Sequence, residues 1–156
     1  MKPLHLPMTL RGRVIAGAGR GKMLGFPTLN LAVPKPIPSS IWGVYACWVN
    51  LAGGERRRGM AHVGPAATFG EADARLEVHV LDWPGSAADE EVTAELVARL
   101  RETRRFARPD ELVAQMQRDA AAARRVLARV EPPPATYAAP RPGSRAGRRG
   151  VTSPRP

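Results

Sequence analysis

Apolar and polar residues alternate along several short stretches of this chain, and that alternation organises everything else. From Thr9 to Ala16, Leu10, Gly12, Val14 and Ala16 share one face, while Arg11, Arg13 and Ile15 share the other. This is the pattern of a strand with one wet side. Pro34, Pro36 and Pro38 make residues 32–41 an extended connection that cannot join a central ladder. Trp42 to Leu51 is rich in β-formers (Val44, Tyr45, Trp48, Val49) and ends at the Gly53-Gly54 turn. Arg56 to Val63 can return as its hairpin partner. Arg75 to Asp82 alternates again, with Leu76, Val78 and Val80 facing inward. Several short strands separated by turn signals predict an antiparallel barrel or sandwich.

The period changes further on. Between Glu91 and Arg105, Val92, Leu96, Val97 and Leu100 fit helical spacing, and the Ala, Glu, Leu and Arg content favours a helix. Pro109 to Val130 is a plainer helix, with Leu112, Val113, Met116, Ala120, Ala123, Val126, Leu127 and Val130 forming an apolar stripe. Pro109 suits its first turn, Asp110 and Glu111 its positive end, and Arg124, Arg125 and Arg129 its negative end. Met116 belongs to core packing here, not to a cofactor box. From Glu131 onward the chain holds seven of its sixteen prolines and five arginines, with almost no large apolar residue. Such a segment cannot bury enough surface to order itself. The expected division is one domain over residues 1–130 and a disordered Pro/Arg/Gly-rich tail over 131–156.

Composition narrows the function classes. A length of 156 residues, 44% hydrophobic and 24% charged, suits one soluble globular domain with a real core. The net charge of +10 divides into +6 over residues 1–130 (19 basic, 13 acidic) and +4 over the tail (5 basic, 1 acidic). A basic RNA-binding barrel would use exposed aromatic platforms. Only 5% of residues are aromatic, and most fall on apolar strands. No nucleic-acid partner is expected, and an anionic small substrate accounts for the charge equally well. Cys47 is the single cysteine, which excludes an internal disulfide and a cysteine zinc site. Its apolar neighbours predict a buried, inert thiol. No apolar run of membrane-spanning length occurs, so no membrane partner is expected and a cytoplasmic monomer is the default.

Residues 17–31 carry the candidate chemistry. Gly17, Gly19, Gly21 and Gly25 allow backbone N–H groups to turn toward an anion, and Arg20 and Lys22 add positive charge. Thr28 and Asn30 then supply hydroxyl and amide oxygens, hard ligands that Mg²⁺ accepts. A P-loop is excluded because no Ser or Thr follows Lys22, and a dinucleotide fingerprint because Pro27 stands where a helix would open. The residues alone also fit a glycine-rich hairpin with exposed cations, with Asn30 capping a turn.

The longer pattern is more specific. Gly-x-Gly-Arg-Gly, then Leu-Gly-Phe-Pro-Thr-x-Asn-Leu, then Gly43-Val44-Tyr45-Ala46 resembles the riboflavin kinase family, including the kinase module of bacterial bifunctional FAD synthetases. The likeness continues through His62-Val63-Gly64, Ala67-Thr68-Phe69-Gly70, Leu76 to Asp82, Leu100-Arg101 and Phe106, covering roughly residues 9–127. The resemblance implies a six-stranded antiparallel Greek-key barrel with a C-terminal helix, and a strand for the first part of Glu91–Arg105. It implies transfer of the γ-phosphate of ATP to the 5′-hydroxyl of riboflavin, giving FMN and ADP with Mg²⁺. By position, Gly17, Gly19, Arg20, Gly21, Lys22 and Thr28 would bind ATP, Thr28 and Asn30 the metal, and Arg101, Arg104 and Phe106 the flavin. Glu77 takes the place of the catalytic base. On its strand Glu77 faces away from Leu76, Val78 and Val80, where a carboxylate is ordinarily just exposed. His79 shares that face, and a plain exposed histidine is expected. Phe106 could equally stack on a flavin or pack the helix on the barrel, and the arginines could meet phosphate or be solvated.

Three departures qualify the resemblance. Ala67-Thr68-Phe69-Gly70 stands where the family has Pro-Thr-Phe-Gly, which loosens a turn. Ala87-Ala88-Asp89 replaces an aromatic-Gly pair near the nucleotide, losing a stacking surface and adding negative charge. No adenylyltransferase domain precedes residue 1, so the chain is expected to make FMN and not FAD. The second reading is a catalytically weakened flavin- or nucleotide-binding module of the same fold. If the tail is as expected, cutting at Glu131 should move the melting temperature by less than about 2 °C. A larger drop in a thermal scan would show that the tail docks on the domain.

Overall fold

The structure, a computed structural model, describes residues 5–16, 25–65 and 74–132. Six strands make up most of it: β1 (Met8–Ile15), β2 (Leu29–Ala32), β3 (Gly43–Asn50), β4 (Arg56–Gly64), β5 (Arg75–Val80) and β6 (Glu91–Arg101). They close into an antiparallel barrel in the order β1-β2-β5-β4-β3-β6. A 3-10 helix (Ser39–Ile41) precedes β3, and helix α1 (Pro109–Leu127) follows β6. The expected tail lies almost wholly outside the described residues, as do the glycine-rich loop and the Ala67-Thr68-Phe69-Gly70 run.

Alternation does what it predicts. Val14, Leu31, Tyr45, Cys47, Val49, Ala61, Val63, Leu76, Val78, Val80, Val92, Ala94 and Leu96 point into the barrel and form its core. Tyr45 is fully buried and donates its hydroxyl hydrogen to the Ile41 carbonyl at 2.7 Å. Cys47 is fully buried, and burial pushes its thiol far above the usual range, so the inert-thiol reading fits. Gly12 is required by close approach: a Cβ there would lie 2.4 Å from the Ala32 carbonyl oxygen.

Three elements differ from the sequence expectation. Leu29–Ala32 is a strand that the alternation did not single out; four residues are too few to show a period. Glu91–Arg101 is a strand throughout, as the resemblance implied and the helical spacing did not. Residues 92–96 are all buried, because the barrel covers one face and neighbouring side chains the other. Its ladder with β3 also shifts register between Val44 and Tyr45 and between Ala46 and Cys47. Each slip lets one extra β6 residue intrude, which breaks a simple period of two. Finally, α1 ends at Leu127, and Val130 is exposed.

Helix α1 lies on the outside of the barrel. Its Ala120, Ala123 and Leu127 pack with Ala46 and Trp48 of β3, Met60 of β4, and Leu81. Pro109 opens the helix, Asp110 and Glu111 occupy its first turn, and Arg124 and Arg125 its last, as the charges predict. The helix thereby covers Ala46 and Trp48 of β3 and Met60 of β4 on the outer face.

Candidate active site

Barrel closure puts odd and even residues of each strand on opposite sides. Asn30 is the Cα partner of Glu77, Glu77 of His62, His62 of Val44, and Val44 of Arg101. These five residues form one row across β2, β5, β4, β3 and β6, on the outer face. Neighbouring strands lie about 4.8 Å apart, so Asn30 and Arg101 stand roughly 19 Å apart along the row. The expected metal ligand, catalytic base and flavin-side arginine are therefore aligned in that order.

The β1–β2 ladder ends at the Ile15–Asn30 pair. The chain leaves this end at Ala16 and returns at Gly25, so the candidate phosphate loop opens beside Asn30. Gly17, Gly19, Arg20, Gly21 and Lys22 themselves lie outside the described residues. Thr28 and Asn30 are half-buried. His79 anchors the approach to them: its Nδ1 donates to the Pro27 carbonyl at 2.7 Å, and its ring meets Phe26 edge to face at 5.3 Å. The plain exposed histidine is thus corrected. His79 is half-buried and holds the Phe26-Pro27 segment that delivers Thr28. A polar residue two positions from Glu77 on the same strand face was the available signal.

At the other end of the row, Arg101 is neither solvated nor free. Its Nε donates to both Asp119 carboxylate oxygens at 2.9 and 3.0 Å, and its Nη2 to one at 2.8 Å. Gln115 donates to the same carboxylate at 2.9 Å. Asp119 is only 4% exposed. Sequence reasoning missed it, although a charge inside the apolar stripe of α1 demands a partner. The Phe106 ring lies under two guanidiniums, Arg101 at 5.8 Å and Arg104 at 5.2 Å. Phe106 is half-buried and, among the described residues, belongs to neither apolar cluster. Arg101, Arg104 and Phe106, the three expected flavin residues, form a single cation–π group at the β6 end of the row.

His62, between Glu77 and Arg101 in the row, is a second residue the sequence reading passed over. It is mostly buried, and its Nδ1 has no hydrogen-bond partner. Burial, and then the Arg101 charge, lower its pKa to about 4, against the opposing pull of Asp119. The imidazole is neutral at pH 7 beside the candidate base. The Ala87-Ala88-Asp89 departure lies beside the end of β1: the Asp89 N–H donates to the Val14 carbonyl at 3.2 Å. Asp89 has φ of 60°, a left-handed conformation that glycine adopts more readily. Ala87 is buried in the barrel core instead of offering a stacking surface.

A family model for riboflavin kinase, the flavokinase domain, matches residues 4–127. The chain belongs to the riboflavin kinase family. The bifunctional riboflavin kinase/FMN adenylyltransferase of Escherichia coli K12 is 34% identical over 126 residues, 81% of this chain and 40% of that protein. Its counterpart in Pseudomonas fluorescens is 36% identical over 127 residues, 80% of this chain and 40% of that protein. The chain thus spans about two fifths of the length of these curated relatives. A crystal structure described as a macrolide-efflux protein from Streptococcus pneumoniae superposes with a TM-score of 0.66 at 33% identity, over 76% of this chain and 38% of that one. Riboflavin kinase from Trypanosoma brucei superposes at 0.53 with 20% identity, over 78% of this chain and 80% of that one, and shares the fold.

The buried His62 makes stability depend on pH. Its folded pKa lies below the ordinary value of about 6.5, so the unfolded chain binds more protons between the two. That stability is fully present above pH 6.5 and is lost as pH falls through about 4, by on the order of 3 kcal/mol. Denaturant unfolding at pH 7 and pH 4.5 should show a clearly larger loss for wild type than for His62→Asn. Equal losses would show that the imidazole is hydrated in the fold.

Proposed function

We propose that this chain is a riboflavin kinase, transferring the γ-phosphate of ATP to the 5′-hydroxyl of riboflavin to form FMN and ADP. The observation that carries the proposal is the direct cross-strand pairing of Asn30 with Glu77 on the outer face of the barrel. It brings a hard oxygen donor beside a carboxylate, at the end where the glycine-rich segment begins. Family membership supports the same reading.

The donor set fits Mg²⁺. The Thr28 hydroxyl and Asn30 amide offer neutral oxygens, and no cluster of three His, Cys, Asp or Glu competes among the described residues. A site with so few protein charges suits a cation that arrives with phosphates. Bound there, Mg²⁺ would offset charge on the β- and γ-phosphates. Arg20, Lys22 and the amides of Gly17, Gly19 and Gly21 would cradle the triphosphate. Glu77 accepts the riboflavin 5′-hydroxyl proton as that oxygen bonds to the γ-phosphorus and the bond to ADP breaks. His62, neutral at pH 7, adds no positive charge beside Glu77. Phe106, held by Arg101 and Arg104, offers its ring to the isoalloxazine. The relatives' printed names join kinase to adenylyltransferase activity; the kinase step is the one this domain would perform. No helix among the described residues is long and apolar enough to cross a membrane, which suits an enzyme acting on dissolved substrates in the cytoplasm.

Glu77→Gln should still bind riboflavin, read by flavin fluorescence, while FMN formation falls by about 10²–10⁴-fold. Asn30→Ala and Thr28→Ala should each slow turnover at limiting Mg²⁺ by about tenfold or more. Full turnover in Glu77→Gln would remove the base assignment, and full turnover in both other variants the metal assignment.

A further inference from the structure

Residues 102–108 join β6 to α1 and include Arg104 and Phe106. Arg101 ends β6, and Asp119 stands about three turns into α1, so their ion pair ties the two ends of this connection together. Every guanidinium nitrogen of Arg101 is engaged. Nε and Nη2 donate to the Asp119 carboxylate, and Nη1 donates to the Glu102 carbonyl at 3.0 Å. Bonds along the edge of a planar fork fix its plane and leave only its faces for packing. The Phe106 ring lies 5.8 Å from that guanidinium. Thr103 seats the same segment on β4: a Cβ added at Gly64 would lie 3.0 Å from the Thr103 methyl carbon.

The two cations near Phe106 are not equivalent. Arg101 is mostly buried and held by Asp119, which is itself buried. Arg104 is exposed, 5.2 Å from the ring, and can turn away when an aromatic ligand arrives. Arg101 is therefore the fixed member. Docking of α1 does not account for the pair, because Ala120, Ala123 and Leu127 already pack on Trp48 and Met60. A buried ion pair replaced by apolar residues often leaves stability unchanged or raises it. What the pair supplies that apolar packing would not is a fixed plane for Phe106 to lie against.

We propose that Asp119 is a positioning residue for flavin binding: through Arg101 it fixes the Phe106 ring before the ligand arrives. The inference rests on the kinase reading, which puts the isoalloxazine at Phe106. Arg101 and Glu77 are three strand spacings apart in the row, about 14 Å. A ring at Phe106 thus leaves the sugar-alcohol chain to reach toward Glu77. Holding the aromatic platform in advance removes an ordering cost that binding would otherwise carry. Gln115, one turn earlier on α1, donates to Asp119 at 2.9 Å and keeps the carboxylate turned toward Arg101.

The test is a double-mutant cycle on riboflavin affinity, read by flavin fluorescence without ATP. Asp119→Asn keeps the shape but leaves one acceptor oxygen, so the Arg101 fork cannot close on it. Affinity should fall about fivefold or more, and Phe106→Leu should cost a similar factor. Because Asp119 acts through the ring, the double variant should bind within about twofold of the weaker single variant. Losses that multiply would show a separate, structural role and overturn the proposal, as would full affinity in Asp119→Asn. Arg101→Lys runs the same cycle if a thermal scan shows Asp119→Asn unfolded: it keeps a cation against Asp119 but loses the planar fork, and the same coupling is expected. Asp110→Asn removes an exposed carboxylate of α1 that pairs with Arg108 and should leave affinity unchanged; an equal loss there would overturn the proposal. With ATP and Mg²⁺, Asp119→Asn should raise KM for riboflavin and leave kcat within about twofold, and a fall in kcat at unchanged KM would contradict it. Wild type that binds riboflavin yet forms no FMN would fail the kinase reading alone, and the binding cycle would still decide the role of Asp119.

Discussion

Closing six short strands into a ring fixes which side chains can meet, and the candidate site depends on that constraint. Inside, Leu76, Val78 and Val80 must face Val63, Leu31 and their neighbours to fill the barrel. Residues between them are forced outward. Asn30, Glu77, His62 and Arg101 are such residues, brought into one row from four strands distant in sequence. A slip of β5 by one residue against its neighbours would reverse its faces, burying Glu77 and exposing Leu76. The barrel core therefore stabilises the fold and sets the order of the site together.

Helix α1 completes the arrangement by covering part of the outer face. Its small residues, Ala120 and Ala123, allow close packing on Trp48 and Met60. Two buried acids occupy the dry surface this creates: Asp119 under Arg101, and Glu95 under Arg56. Burying charge is costly unless it is paired and hydrogen-bonded. Both carboxylates are, with Gln115 and Asn50 as the extra donors. Asp119 holds Arg101, and Glu95 holds Arg56.

Much of this was legible in sequence, for identifiable reasons. Strands β1 and β5 alternate because one face meets the core and the other meets something more polar, while β3, buried on both faces, is legible from its β-formers and β4 as its hairpin partner. Strand β2 was too short to show a period, and β6 lost its period through two register slips and burial on both faces. The Pro27 to Leu31 run and Glu77 carried the site through resemblance, not through periodicity. His62, His79 and Asp119 were not legible as participants. Each depends on a neighbour far along the chain, Arg101 and Asp119 for His62, Pro27 for His79, Arg101 for Asp119, and no local spacing encodes those meetings. Arg101 was read as solvated or phosphate-facing for the same reason.

The central claim is that the Asn30–Glu77 end of the row performs phosphoryl transfer to flavin. Incubating the chain with riboflavin, Mg²⁺ and ATP labelled in its γ-phosphate, then separating the flavins, tests it most directly. The account predicts labelled FMN in equal amount to the ADP released. Riboflavin that binds, by its fluorescence, yet never acquires the label at any ATP concentration would contradict it, and would point to Asp89 and Ala87 as the reason turnover was lost.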